Sequence, residues 1–300
     1  PPTPILFRRQ RQMCIRDRDW RVDDIMISYA EDGGSVGPHM DDYDVFLIQA
    51  QGRRRWQIDP SPAFDAPILP DLDLRILADF EAVQTHVLAP GDVLYLPPGV
   101  PHWGVAEGPC MTWSVGFRAA TWRELAASWC EQAAETSLPR GRYRDGHLGP
   151  QAHAGEILPQ VFEQVRATLL DGLASMPPRE FQAWLGGLLT ESKEHLQVFP
   201  ADADQAQALD PAGLRRALDA GASLERAGTA RMAFCRDDAH SLLFVNGRSI
   251  ALAADKAGLL ALLTDHRTLT RERLGPWLED ADGLDLLSHL CNEGYHELVD

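Results

Sequence analysis

The chain has 300 residues, 45% of them hydrophobic and 24% charged, and a formal net charge of −16. Its length allows more than one domain, and the acidic balance argues against binding through nucleic-acid phosphates. No apolar run approaches the roughly 18 residues that span a bilayer. Five scattered cysteines, an odd number, do not make a disulfide framework. Cys110, Cys130, Cys235 and Cys291 sit in apolar runs and read as small buried hydrophobes of a protein in a reducing cytoplasm.

Residues 1–18 are proline-rich, then arginine-rich, without helical or strand periodicity. They read as a non-native leader and are set aside from the fold. From Asp19 the pattern is that of short strands and turns, over residues 19–120. Asp24–Ala30 reads as a strand, followed by the turn-rich Glu31-Asp32-Gly33-Gly34-Ser35. Residues 39–50 and 53–58 read as two strands joined tightly through Gln51-Gly52. A prolyl and aspartyl loop follows, then a strand within Phe80–Leu88. Pro90-Gly91-Asp92 is a turn, Val93–Leu96 a short buried strand, and Pro97-Pro98-Gly99 a second turn that returns the chain to His102. Met111–Phe117 completes the set. Such a series indicates a barrel or sandwich.

At Thr121 the period changes to helical, with Glu124 placed for a capping box. Two further helical stretches, Glu156–Ala174 and Pro178–Val198, carry apolar residues at helical spacing, including Leu158, Val161, Phe162, Val165, Leu169 and Leu170. Residues 121–205 therefore form a helical region that ends in a polar linker. Residues 206–300 alternate short helices and strands. Asp210 with Pro211 opens a helix, and Asn246-Gly247 between two apolar runs marks a hairpin. Gly294 closes the last helix. This alternation suits a small winged-helix domain. From Asp210 on there are ten Lys or Arg against fifteen Asp or Glu, and Leu284–Cys291 contains neither Lys nor Arg. A helix that reads DNA needs basic residues, so direct DNA binding is not expected.

The chemistry concentrates in His39, Asp41 and His102. On an extended chain residues i and i+2 share a face, so His39 and Asp41 can reach one metal ion. His102, after a Pro-Gly turn, can approach from the opposite wall. Two imidazoles and one carboxylate on one face of an octahedral iron(II) leave positions open for substrate chemistry. Arg54 shares its parity with Trp56 and Ile58 and so points inward, unlike Arg53 and Arg55. A buried guanidinium needs a partner anion. In an iron oxygenase that anion is the far carboxylate of 2-oxoglutarate.

The segments Gly37-Pro38-His39-Met40-Asp41, Gly52-Arg53-Arg54-Arg55-Trp56, Pro90-Gly91-Asp92-Val93-Leu94-Tyr95, Pro97-Pro98-Gly99, Pro101-His102 and Ser114-Val115-Gly116-Phe117-Arg118 together resemble the JmjC-type ribosomal oxygenases. Within them the chain is most similar to the bacterial enzymes that hydroxylate an arginine of ribosomal protein uL16. The resemblance runs from about Asp19 to the C-terminus. It implies an α+β protein: a double-stranded β-helix (cupin/JmjC) barrel, truncated at its N-terminal side, then a helical dimerisation region and a winged-helix domain. It implies iron(II) held by His39, Asp41 and His102, with 2-oxoglutarate as cosubstrate held by Arg54. Ser28 and Ser114 become candidates to assist cosubstrate binding, and Asp32 a candidate to pair with the substrate arginine. The partner implied is basic uL16, which suits an acidic enzyme; a homodimer and a cytoplasmic location are expected, and no membrane. Two other readings stay open: a cupin-type metal enzyme that does not use 2-oxoglutarate, and a non-catalytic protein-binding module with a vestigial site.

Overall fold

A computed structural model describes residues 6–7, 19–72, 74–117, 119–150, 153, 155–192 and 208–299. The chain divides after Ala119 into two compact units.

The first unit is a six-stranded antiparallel sheet. Its strands are β1 (Leu6–Phe7), β2 (Val22–Ala30), β3 (Asp44–Ile58), β4 (Gln84–Leu88), β5 (Val93–Leu96) and β6 (His102–Phe117). They run in the order β1-β5-β3-β6-β2, and β4 also pairs with β3. The backbone of β3 is the spine. Its first half lies between β5 and β6, and its second half between β4 and β6. The change of neighbour happens at a bulge around Gln51 and Gly52. Buried positions on β3 are Val45, Leu47 and Gln49 before the bulge, then Arg54, Trp56 and Ile58 after it. That switch from odd to even numbers requires an irregular register, because the side-chain period of a strand is 2. Gly52 makes it possible: its φ is +62°, and a Cβ there would lie 2.1 Å from the Pro109 carbonyl oxygen. Val45, Leu47, Trp56, Ile58, Leu88, Leu94, Leu96 and Val100 close the core on the inner face.

Two expectations are corrected. Residues 44–58 are one strand rather than two joined by a turn, and residues 102–117 are likewise one strand. A glycine at positive φ suits a hairpin turn and a bulge equally, and only the partner strand decides between them. The segment set aside from the fold contributes the two residues of β1, which pair with β5. The exposed thiol of Cys130 also departs from the expected burial, since it lies on a helix whose single buried residue is Ala133.

The second unit begins with α1 (Trp122–Thr136), whose first turn has the expected capping box. The Glu124 amide donates to Thr121 Oγ1, and the Thr121 amide donates to Glu124. Then come α2 (Pro159–Ala174) and α3 (Pro178–Thr190). Trp129 of α1 packs with Phe181 and Trp184 of α3. The α3 helix lies on the C-terminal hairpin, with Gly186 against Phe244. The rest comprises α4 (Pro211–Asp219), β7 (Ser223–Arg226), β8 (Met232–Arg236), β9 (His240–Val245), β10 (Arg248–Ala253), α5 (Ala257–Asp265), β11 (Thr268–Leu269), α6 (Arg271–Leu274), α7 (Ala281–Asn292) and β12 (His296–Val299). Strands β8, β9 and β10 form one sheet and β11, β7 and β12 another. Leu214, Leu218, Leu224, Leu243, Leu259, Leu260, Leu263 and Leu290 are fully buried between them. The β9–β10 turn has Asn246 at φ 45° and Gly247 at φ 86°, the backbone that the Asn-Gly pair predicts. The polar linker and His195 lie outside the described residues.

Candidate active site

His39, Asp41 and His102 meet at one point. One ligand atom of each lies within 4.8 Å of the others, and this is the cluster with metal-ligand geometry among the described residues. The backbone builds it. The His39 amide donates to the His102 carbonyl at 2.9 Å, and the His102 amide to the His39 carbonyl at 2.8 Å. This reciprocal bridge sets the two rings 4.3 Å apart, centroid to centroid. The Gly99 amide donates to the Asp41 carbonyl at 2.7 Å, which ties the Pro-Pro-Gly turn to the carboxylate's own backbone.

Both histidines use the same local device. Nδ1 of His39 is 3.0 Å from the Gly37 carbonyl oxygen, and Nδ1 of His102 is 2.9 Å from that of Val100. A carbonyl only accepts, so Nδ1 carries the proton and Nε2 presents a lone pair. Burial, reinforced by the charge of His39, pushes the His102 pKa down to about 3, so this ring is neutral at physiological pH, as a metal ligand must be. Burial also pushes the Asp41 carboxyl up, with Asp42 adding and His39 opposing. Asp41 Oδ2 lies 3.6 Å from His102 Nε2. A carboxylate made costly by burial and two imidazoles with fixed tautomers gain from a dication at their centre. The donor set of two nitrogens and one oxygen fits iron(II).

Arg54 stands on the adjoining wall, 5% exposed. Its Nη1 donates to Ser28 Oγ and its Nη2 to the Gly104 carbonyl, both at 3.3 Å, while its Nε finds no acceptor. No carboxylate pairs with it among the described residues. Burial lowers its pKa from the ordinary arginine value. The inward parity expected for Arg54 is therefore what the fold shows, and Arg53 and Arg55 face outward to Glu107. A buried cation without an anion, beside a metal-ligand triad, fits a bound carboxylate.

The other predicted residues are placed as follows. Ser28 touches Arg54 and also donates to the Thr112 carbonyl at 3.3 Å. Ser114 is half-buried on β6, opposite Met26 and Leu47. Asp32 is exposed, and its Oδ1 accepts from the Gly108 amide at 2.7 Å, on the β6 side of the register shift opposite Gln51 and Arg53. Three residues were not singled out from sequence. Gln49 and Thr112 are buried and bonded to each other at 3.0 Å. Trp56, whose ring lies 5.1 Å from the Arg54 guanidinium and 5.8 Å from the His102 ring, was noted only for its parity. A lone polar residue in a strand gives no signal of such a partner; only the cross-strand register supplies it.

Comparison with known proteins identifies the family. The JmjC domain family matches residues 10–125, and the ROXA-like winged helix family matches residues 164–297. Ribosomal protein uL16 3-hydroxylase of Escherichia coli is 36% identical over 294 residues, which cover 98% of this chain and 74% of that protein. Ribosomal oxygenase 1 of Rattus norvegicus is 38% identical over 69 residues, 22% of this chain and 11% of that one. A solved structure of the E. coli ribosomal oxygenase YcfD, in complex with cobalt and 2-oxoglutarate, superposes with a TM-score of 0.74 at 35% identity, covering 94% of this chain and 72% of that one. An X-ray structure of the same E. coli protein superposes at 0.78 with 36% identity, covering 94% and 72%. With a His-Asp-His site on a double-stranded β-helix and a winged-helix tail, the chain belongs to the JmjC-domain ribosomal oxygenases.

Proposed function

We propose that the protein is an iron(II)- and 2-oxoglutarate-dependent hydroxylase acting on an arginine side chain of ribosomal protein uL16. The observation that carries this reading is Arg54, a buried guanidinium beside the triad with no carboxylate partner among the described residues. His39, Asp41 and His102 would hold iron(II). Arg54, steadied by Ser28 and the Gly104 carbonyl, would hold the far carboxylate of 2-oxoglutarate. Together with O2, the bound iron and cosubstrate supply the oxidising chemistry that hydroxylates a C–H bond, releasing succinate and CO2. The chain's own contribution is positioning and exclusion of water. His39 and His102 keep their Nε2 lone pairs aimed by their backbone bonds. Trp56, Ile58 and Leu88 keep the wall apolar. Asp32 is the candidate to meet the substrate guanidinium, with its second carboxylate oxygen.

We further infer a homodimer. Phe162, Val165 and Leu169 recur on one stripe of α2 and are 61%, 39% and 48% exposed. Such a stripe is costly in water and suits burial against a second copy. No helix among the described residues is long and apolar enough to cross a membrane, and the reading places the protein in the cytoplasm with its substrate. Direct DNA binding has no support, because α7 carries no Lys or Arg.

The test is turnover. Iron-loaded protein should convert 2-oxoglutarate to succinate in step with a gain of one oxygen atom on a basic uL16-derived peptide. His39→Ala should abolish both. Consumption of 2-oxoglutarate that is absent, or equal in the wild type and His39→Ala, would sink the reading.

A further inference from the structure

We infer that Trp56 is a positioning residue for the cosubstrate cation: its indole face carries the Arg54 guanidinium and fixes it relative to the metal ligand His102. The inference rests on the functional reading above and extends it to a residue that touches neither ligand in that reading.

Four observations carry it. Trp56 is 4% exposed, and Arg54 Cζ lies 5.1 Å from its ring centroid, within the range of a cation–π contact. The His102 ring lies 5.8 Å from the indole, tilted by 47°. Along β3 Trp56 falls between Arg54 and Ile58, the residue paired with His102, so the indole contacts both the buried cation and one candidate metal ligand. Its cross-strand neighbour on β6 is Gly104. A Cβ at Gly104 would come within 2.6 Å of Trp56 Cζ3 and 2.8 Å of Arg54 Nε. The absent side chain is what lets indole and guanidinium lie together over that strand. Finally, among the described residues Arg54 makes two hydrogen bonds, each of 3.3 Å, and has no carboxylate partner to orient it. Two long bonds to neutral acceptors fix a five-donor fork weakly. The aromatic face offers orientation and partial compensation for lost hydration without neutralising the charge. A carboxylate in its place would compete with the cosubstrate. A π face attracts the cation and leaves its fork free for an incoming anion.

The experiment is a titration of 2-oxoglutarate into manganese-loaded protein, with the manganese dissociation constant measured alongside. Trp56→Leu should raise the Kd for 2-oxoglutarate about fivefold to tenfold, and Trp56→Phe, which keeps an aromatic face, less than about threefold. The manganese Kd should stay within about twofold, a sign that the triad is intact. In turnover, the KM for 2-oxoglutarate should rise with kcat retained at saturation. In an Arg54→Ala background, Trp56→Leu should add nothing, because the cation it carries is gone. Should Trp56→Leu fail to fold, Gly104→Ala decides, since it displaces the indole and guanidinium together and should weaken 2-oxoglutarate while sparing manganese. An unchanged Kd in both Trp56→Leu and Gly104→Ala, or an equal loss in the Arg54→Ala background, overturns the role of Trp56 alone. Wild-type protein that binds manganese but no 2-oxoglutarate overturns the functional reading and this inference with it.

Discussion

Single residues in this protein carry charges and donors that the fold leaves uncompensated, and each has a consequence in solution. Outside the active site the clearest case is His296 on β12. It is 2% exposed, neither ring nitrogen has a hydrogen-bond partner among the described residues, and it sits opposite Arg226 of β7. Burial first, and then the Arg226 charge, pushes its pKa down from 6.5 to about 4. A group whose folded pKa lies below its unfolded value binds its proton more readily when unfolded. Stability is therefore intact above about 6.5 and is lost as pH falls from there towards 4. Acidification through that window should cost the C-terminal unit up to about 3 kcal/mol. Denaturant titrations of the wild type and His296→Leu at pH 7 and pH 5 would check it: the substitution should flatten the dependence. Lys256 is the contrasting case. Also buried, it is held by Asp280 and Asp255 at 2.8 and 3.2 Å, and so its charge is satisfied.

The elements show why the sequence could be followed so far and no further. Alternation is a local property, so the inward direction of Arg54, Trp56 and Ile58 was legible from the chain alone. So were the Thr121 capping box, the Asp210 cap and the Asn246-Gly247 hairpin, each of which needs only neighbouring residues. The spacing of His39, Asp41 and His102 was legible because the Pro-Gly turns announce where strands begin. The bulge at Gly52 was not, because it depends on Pro109, a residue 57 positions later in the chain. Nor was the use of Trp56, which depends on Gly104 across the strand pair. The bulge makes a firm prediction. Gly52→Ala places a methyl group 2.1 Å from a backbone oxygen at a φ of +62°. It should destabilise the first unit by more than about 2 kcal/mol. Thermal melting should show the loss, and Gly108→Ala should cost less, since nothing crowds its Cβ despite a φ of +75°.

For the whole molecule the dominant property is charge. A formal charge of −16 sets up a field that draws a basic polypeptide in and repels phosphate. The cosubstrate, an anion, must bind against that field, which makes a buried, pre-oriented cation the more necessary. The two ligands should thus respond to ionic strength in different ways. Raising salt from about 0.05 to 0.5 M shortens the screening length several-fold. The KM for a uL16-derived basic peptide should rise several-fold over that range, while the KM for 2-oxoglutarate stays level or falls. Steady-state kinetics at the two salt concentrations would show a parallel rise in both if charge steering has no part.

The unbroken run of β3 has one more consequence. Leu47 at one end of β3 and Trp56 at the other both belong to the core, and both pair with the same continuous strand, β6, on either side of the bulge. A site hung on separate hairpins could fray while the core stayed shut. Here the amide protons of Leu47 and Trp56 should exchange with solvent through the same cooperative opening, with matching free energies in native-state deuterium exchange. The protein would then have no partly melted form in which Leu47 stays paired while Trp56 and its neighbour Arg54 are released: the Arg54 wall of the site lasts as long as the strand that carries it.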